Sequence, residues 1–177
     1  FLSTLILTNN INAKENIMIL KLKDGDVKIE MFEDVAPNHV KRITELANSG
    51  KYDNVVFHRV IEGFMAQTGD VQFGNSSSKD FDLSKAGIGG SNLPDLKEEF
   101  NNIPHERGTV SMARSSDPNS ANSQFFICFE NASYLDRQYT VFGRVIEGMD
   151  FVDKIKKGDG QSGSVTNPDK IISFKSQ

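Results

Sequence analysis

Residues 56–70, with the sequence VFHRVIEGFMAQTGD, restrict the possible folds of this chain more than any other segment. The two-residue period of a β-strand puts residues 56, 58 and 60 on one face and residues 57, 59 and 61 on the other. Glu62-Gly63 supplies a turn, and residues 64–68 can form a returning strand. Arginine stays charged and carries a rigid fork of donors. The segment therefore predicts a hairpin that sets Arg59 on an apolar sheet surface, where a ligand with hydrogen-bond acceptors can dock, beside Phe64, Met65 and Gln67.

Short runs with the two-residue alternation of a β-strand recur along the chain and are separated by turn residues. Strands are predicted at 18–22 and 27–31, joined as a β-hairpin around Asp24-Gly25, and at 109–113, 125–129, 140–145 and 171–174, with helices at 37–49 and 149–155. Many short strands with only two helices favour a mainly β fold, a closed barrel with the helices at its ends. Residues 71–99 show no sustained periodicity and are predicted to be a long loop, which in a compact domain is usually functional or mobile.

Length and charge limit the classes of protein that need to be considered. The chain has 177 residues, and we expect residues 17–177 to form a single domain, preceded by an N-terminal extension at 1–16. Its net charge is −4 without a long basic run, which argues against non-specific binding of nucleic acid. No apolar run reaches the length that would span a membrane.

The first residues leave two interpretations open. Residues 1–7 are mostly apolar and Ala13 follows a polar stretch, which is typical of the end of a secretory signal cleaved after Ala13. The alternative is an ordinary extension. We expect a periplasmic protein, with a cytoplasmic one as the alternative.

The chain lacks the patterns of the common catalytic and metal sites. His39, His58 and His105 are not spaced as metal ligands, and no Gly-x-Ser-x-Gly motif occurs. Cys128 lies in an apolar run and is predicted to be a buried thiol. His58 should point away from the Arg59 face and be structural. We therefore expect no metal and no cofactor.

Four segments together resemble the cyclophilins, which are peptidyl-prolyl cis-trans isomerases. They are FHRVIEGFMAQTGD at 57–70, GTVSMAR at 108–114, NSANSQFFI at 119–127 and YLDRQYTVFGRVIEGMDFVDKI at 134–155. The resemblance extends over residues 17–174 with the motifs in the family's order, and its SMAR form is bacterial-like. It implies a closed eight-stranded antiparallel β-barrel capped by two α-helices, and isomerase activity toward X-Pro bonds.

The resemblance also assigns roles to single residues. It implies that Arg59 is catalytic and that Gln67 stands beside it. It implies a pocket for the proline ring made of Phe64, Met65, Phe126 and Leu135, and an adjoining groove for the substrate backbone made of Ala113, Arg114 and Gln124.

Three residues depart from the family pattern in this part of the chain. Tyr139 stands in the pocket wall where many members have His, and Arg114 replaces an Asn and adds charge at the groove. Tyr134 replaces the Trp that favours cyclosporin binding, so we expect weak binding of that drug. Residues 71–99 are also longer than usual.

The expected partners are proline-containing peptides and folding client proteins, and the chain is expected to be a monomer. Two competing hypotheses stay open at this point. One is a non-catalytic module that binds proline-containing peptides, and the other is a barrel that serves only as an assembly scaffold. Arg59 favours the enzyme over both.

Overall fold

The computed structural model describes residues 16–177, and the predicted export signal at 1–13 lies outside the described residues. Eight strands, two helices and a 3-10 turn at Ser133–Leu135 follow one another along the chain. Their bounds are β1 Ile17–Leu22, β2 Gly25–Met31, α1 Pro37–Asn48, β3 Arg59–Ile61, β4 Met65–Thr68, β5 Thr109–Met112, β6 Phe125–Cys128, β7 Val141–Glu147, α2 Met149–Asp153 and β8 Ser173–Ser176. The mainly β class, the two helices and both predicted hairpins are confirmed.

The eight strands form one antiparallel sheet in the order β3-β4-β6-β5-β7-β2-β1-β8. The prediction of a closed barrel is wrong, because among the described residues no ladder joins β3 to β8. An irregular segment at 158–171 lies along β3 instead. Val60 N–H donates to Gly163 O at 2.8 Å, and Phe57 N–H donates to Asp169 O at 2.8 Å. This segment contains three glycines, two serines and one proline and pairs only through isolated bridges, so the sheet curls without closing.

The two faces of the sheet carry different apolar clusters. The main core takes Phe125 and Ile127 from β6 and Ala66 from β4. The neighbouring residues Met65, Phe126 and Cys128 point to the opposite face and form a second, smaller cluster. This division follows from the two-residue period of a strand, since alternate side chains must leave on opposite sides.

Both helices pack on the main core. Pro37 begins α1, where its fixed φ suits the first turn, and Gly50 follows its end with φ +74°. The buried face of α1 includes Val40, Ile43 and Leu46, which lie in the core together with strand residues. The short α2 contacts β2, and its Val152 is fully buried.

Some boundaries differ from the predicted ones. Of residues 56–58 only Val56 forms a bridge, an isolated one, so the strand begins at Arg59, and the last strand begins at Ser173. Residues 71–99 contain neither helix nor strand, as predicted, but they are held by many turns and side-chain contacts.

Candidate functional site

The candidate site lies on the sheet face that turns away from the main core. Its base is the second cluster, Met65, Phe126 and Cys128, which is buried by partly exposed neighbours: Ile61, Phe64, Ala113, Leu135 and Tyr139. The hairpin β3–β4 pairs Arg59 with Gln67 and Ile61 with Met65. Strand β6 adds Phe126 opposite Gln67. The local register therefore sets an arginine, a glutamine and two apolar side chains side by side.

These side chains enclose a cavity of about 190 Å³. Nine of the ten predicted site residues line it: Arg59, Phe64, Met65, Gln67, Ala113, Arg114, Phe126, Leu135 and Tyr139. The tenth, Gln124, lies beside it and lines an adjoining cavity of about 310 Å³. The structure thus brings together every residue that the sequence singled out, although they come from four separate parts of the chain.

Arg59 is half-buried at the rim of the cavity and has two partners among the described residues. Its Nε donates to Ser162 O at 3.1 Å, and its Nη1 donates to Gln67 Oε1 at 3.4 Å. A guanidinium has five N–H groups. The other three are therefore available to a ligand, and the two contacts hold the side chain in place.

Two glutamine amides continue from Arg59 as a relay of hydrogen bonds. Gln67 Nε2 donates to Gln124 Oε1 at 3.1 Å. Gln124 Nε2 donates to the carbonyl oxygens of Gly87 and Gly89, at 2.9 and 2.8 Å. Both hydrogens of the Gln124 amide are used, so a flipped amide would set its oxygen against two carbonyls. The loop carbonyls therefore fix the orientation of the Gln124 amide and, through it, turn the Gln67 oxygen toward Arg59.

Asp70 holds the loop that supplies those carbonyls. Its side chain is fully buried, and its Oδ2 accepts the N–H groups of Gly87 and Gly89 at 2.8 and 2.9 Å. Its Oδ1 accepts those of Gln72 and Phe73. Gly89 is required by this close approach, because a Cβ there would lie 2.4 Å from Asp70 Oδ1. The Asp70 carboxylate therefore holds residues 87–89 of the long loop in the position where their carbonyls meet Gln124.

Phe126, the base of the cavity, rests on His105. The two rings stack with centroids 6.1 Å apart. His105 is buried, with Nδ1 3.0 Å from Asp136 Oδ1 and Nε2 3.0 Å from Ser111 Oγ. Burial lowers the pKa of His105, and the Asp136 carboxylate acts against that lowering. His105 thus holds the pocket base from behind.

Arg114 and Tyr139 form one wall of the cavity together. The guanidinium of Arg114 lies 4.5 Å from the centroid of the Tyr139 ring. Its Nε and Nη2 donate to Gln138 O, at 2.9 and 2.7 Å. Tyr139 in turn meets Phe126 edge-on with centroids 6.0 Å apart. Tyr134 is exposed, 5.7 Å from the ring of Phe64.

His58 and Cys128 have no catalytic geometry. His58 is buried, neither ring nitrogen has a partner among the described residues, and burial lowers its pKa to about 4. Cys128 is a free, buried thiol whose pKa is raised to about 12 by burial, so it is not a nucleophile. Within residues 16–177, no cluster of His, Cys, Asp or Glu could hold a metal ion. No helix in the same range is long and apolar enough to cross a bilayer.

Sequence reasoning missed the residues that support the site. Asp70 and Asp136 stand inside the motifs at 57–70 and 134–155 but received no role, Gly87 and Gly89 lie in the unpatterned loop, and His105 stands in no motif. The one available signal was the glycine-rich end of the loop, since glycine is favoured where backbone approaches closely.

Comparison with known proteins gives a consistent result. The family model described as "Cyclophilin type peptidyl-prolyl cis-trans isomerase/CLD" matches residues 17–176. A probable peptidyl-prolyl cis-trans isomerase of Brucella suis is 61% identical over 159 residues, covering 89% of this chain and 81% of the relative. A peptidyl-prolyl cis-trans isomerase of Acinetobacter baylyi is 39% identical, covering 81% of this chain and 74% of the relative. A Cryptosporidium parvum cyclophilin-type isomerase, crystallised in the presence of the dipeptide Ala-Pro, superposes with a TM-score of 0.76 at 27% identity, covering 91% of this chain and 98% of that one.

Proposed function

The chain belongs to the cyclophilin-type peptidyl-prolyl cis-trans isomerases, and we propose that it accelerates X-Pro rotation by using Arg59 to stabilise the twisted amide. The uncatalysed rotation is slow because amide resonance sets a barrier of roughly 18–20 kcal/mol. When the bond twists, the prolyl nitrogen becomes pyramidal and regains a lone pair. A donor aimed at that nitrogen stabilises the twisted state more than the planar one, and this difference lowers the barrier.

The observation that carries the proposal is the position of Arg59 at the rim of an apolar cavity. Three N–H groups of its guanidinium have no partner among the described residues, so they can meet a lone pair that appears only during rotation. The cavity of about 190 Å³ suits the proline ring, packed against Phe64, Met65 and Phe126. The ring is then held while the rest of the peptide turns.

The relay of glutamines supports the same role. A donor that is already oriented needs no rearrangement at the moment of reaction, and preorganised donors give the largest share of many rate enhancements. Arg59 is oriented by Ser162 O on one side and by Gln67 on the other, and Gln67 is oriented by Gln124. The mechanism uses no proton transfer and no covalent intermediate, because arginine acts as a donor that stays charged.

The test is the substitution Arg59→Ala. We expect a folded protein whose kcat/KM for an Ala-Pro peptide, measured by NMR exchange, falls roughly a hundredfold, as when an oxyanion-hole donor is removed. Arg144→Ala is the matched control, because Arg144 pairs with Glu30 at 2.8 Å and lies outside the cavity, so its removal should leave turnover unchanged. Near-wild-type turnover by Arg59→Ala would contradict the mechanism.

The remaining proposals concern the partners, the oligomeric state and the location of the protein. The partners we propose are proline-containing peptides and folding client proteins, and the protein acts as a monomer. A module that binds such peptides without useful turnover is the alternative, and the exchange measurement separates the two. Export to the periplasm, predicted from residues 1–13, stays a prediction that cell fractionation of the full-length protein would test.

A further inference from the structure

The cavities around the site form a groove whose only charges are positive. The cavity for the proline ring adjoins one of about 310 Å³ and another of about 660 Å³, and all three share Gln67 and Arg114. Arg59 and Arg114 are the arginines that line this groove, and neither Asp nor Glu is among the lining residues within 16–177. The chain as a whole has 24 acidic and 20 basic residues, so the positive groove contrasts with an acidic protein.

Neither guanidinium of the groove is neutralised by an ion pair within the part of the chain that the structure describes. Arg107 and Arg144 do pair with carboxylates, Asp153 and Glu30. Arg59 instead contacts a carbonyl and an amide oxygen. Arg114 contacts the carbonyls of residues 115, 116 and 138 and lies on the Tyr139 ring. Both side chains are therefore held in place with their charge uncompensated.

Both charges extend beyond the proline cavity into the cavity of about 660 Å³. Arg59 and Arg114 both line it, and none of its other polar lining residues is acidic: they are His58, Gln67, Ser84, Ser164 and Thr166. It shares Arg59, Gln67 and Arg114 with the proline cavity. An extended peptide advances only about 3.3 Å per residue, so a side chain one or two positions from the proline can reach it.

We propose that this groove selects client segments with an acidic residue within two positions of the isomerising proline. The carboxylate lies in the cavity of about 660 Å³, facing Arg59 and Arg114. Complementary charge favours such clients over neutral ones and over basic ones. This inference rests on the proposed function, because it names the substrates that the same site prefers.

The carboxylate binds equally well before and during rotation, so it should act on KM rather than on kcat. An exposed or half-buried ion pair changes affinity by a modest factor, and we expect about three- to fivefold in kcat/KM. Salt at about 1 M shortens the screening length to roughly 3 Å and should remove most of that preference.

The experiment compares matched Glu and Gln peptides by NMR exchange, which avoids the specificity of a coupling protease. A capped neutral peptide with one central proline serves as the parent, and Glu or Gln replaces each of the two residues on either side in turn. The readout is the ratio of kcat/KM for Glu to that for Gln at low salt and at about 1 M salt. The variants are Arg114→Gln, Arg114→Lys and, as a control for net charge, Lys85→Gln, since Lys85 lies in the long loop but does not line the groove.

We expect a ratio of about three to five at one or more positions in the wild type, carried by KM and close to one at high salt. Arg114→Gln should bring the ratio close to one, whereas Arg114→Lys and Lys85→Gln should keep it. A ratio below two at every position, a ratio that persists in Arg114→Gln, or one that high salt leaves unchanged would overturn the inference. The salt series decides even where Arg114→Gln does not fold. Failure of the proposed function is a different result: the wild type would not accelerate the neutral parent peptide at all.

Discussion

Replacing Asp70 by Asn tests whether the long loop orients Arg59, the residue proposed to act on the X-Pro bond. The Asp70 carboxylate accepts four backbone N–H groups, two on each oxygen. In the variant, one of these oxygens becomes an NH₂ group, which donates rather than accepts. If it takes the Oδ2 position, it faces the N–H groups of Gly87 and Gly89, and both hydrogen bonds are lost.

The size of the effect follows from the number of bonds. Hydrogen bonds to a charged group contribute about 1.5–3 kcal/mol each, so losing two costs roughly 3–6 kcal/mol of local stability. A domain of this kind has about 5–15 kcal/mol of total stability, so it should stay folded while the loop at 87–89 moves. The Gly87 and Gly89 carbonyls then no longer fix Gln124, and the relay to Arg59 loosens.

The assay measures isomerisation and loop opening together. A misplacement of about 1 Å at a reacting centre can cost a hundredfold in rate, so we expect kcat/KM for an Ala-Pro peptide to fall at least about tenfold. Hydrogen exchange of the Gly87 and Gly89 amides should accelerate in the same variant. Asp82→Asn is the control, because Asp82 lies in the same loop and accepts a bond from Ser84 but has no contact with the relay.

Two results would refute this reasoning. One is full activity of Asp70→Asn with fast amide exchange at the loop, because the loop would then be free and Arg59 still effective. The other is an equal loss of activity in Asp82→Asn, which would indicate a general effect of the loop on folding.

Three further predictions concern the pocket and its surroundings. Burial lowers the pKa of His58 from 6.5 to about 4, so between these pH values the unfolded chain binds a proton that the folded protein does not. The free energy of unfolding should therefore fall by up to roughly 3 kcal/mol as the pH drops from 6.5 to 4. Urea denaturation should show a smaller loss in His58→Asn. Phe126→Ala should weaken binding of an Ala-Pro peptide about tenfold in titration calorimetry, because the proline ring loses its apolar base, and unchanged affinity would remove Phe126 from the pocket. We propose that the protein binds cyclosporin weakly because Tyr134 stands in place of Trp. Tyr134→Trp should therefore bind the drug more tightly than the wild type. Equal affinity of the wild type and the variant would contradict this proposal.

The local part of the fold was predictable from the sequence because its signals are local. The alternation at 56–61 and the Glu62-Gly63 turn predict the β3–β4 hairpin, and the Asp-Gly pair at 24–25 accompanies the β1–β2 hairpin. Closure of the barrel was predicted wrongly, because it depends on whether residues distant in sequence continue a ladder. The segment at 158–171 occupies that side of β3 with single bridges, which no periodicity reveals.

The candidate site was predictable to the same extent. Arg59, Gln67 and Phe126 stand in motifs, and the strand register then brings them together. The supporting contacts come from pairs far apart in sequence, such as Asp70 with Gly89 and Gln124 with Gly87. Asp70 ends the motif at 57–70, but the sequence carries no sign of which backbone groups its carboxylate will bind, so these roles became visible only in three dimensions.

The two faces of β6 explain how the protein combines a stable core with a specific site. Phe125 is fully buried in the main core, and the next residue, Phe126, forms the base of the cavity. Successive side chains of the strand point to opposite faces, so packing of Phe125 in the core holds the strand in place, and the strand in turn positions Phe126 in the pocket. The charged part of the site depends on the loop instead, through Asp70 and Gln124. The apolar pocket and the donor are therefore held by different elements, which is why substitutions in the loop should reduce turnover while the pocket still binds proline.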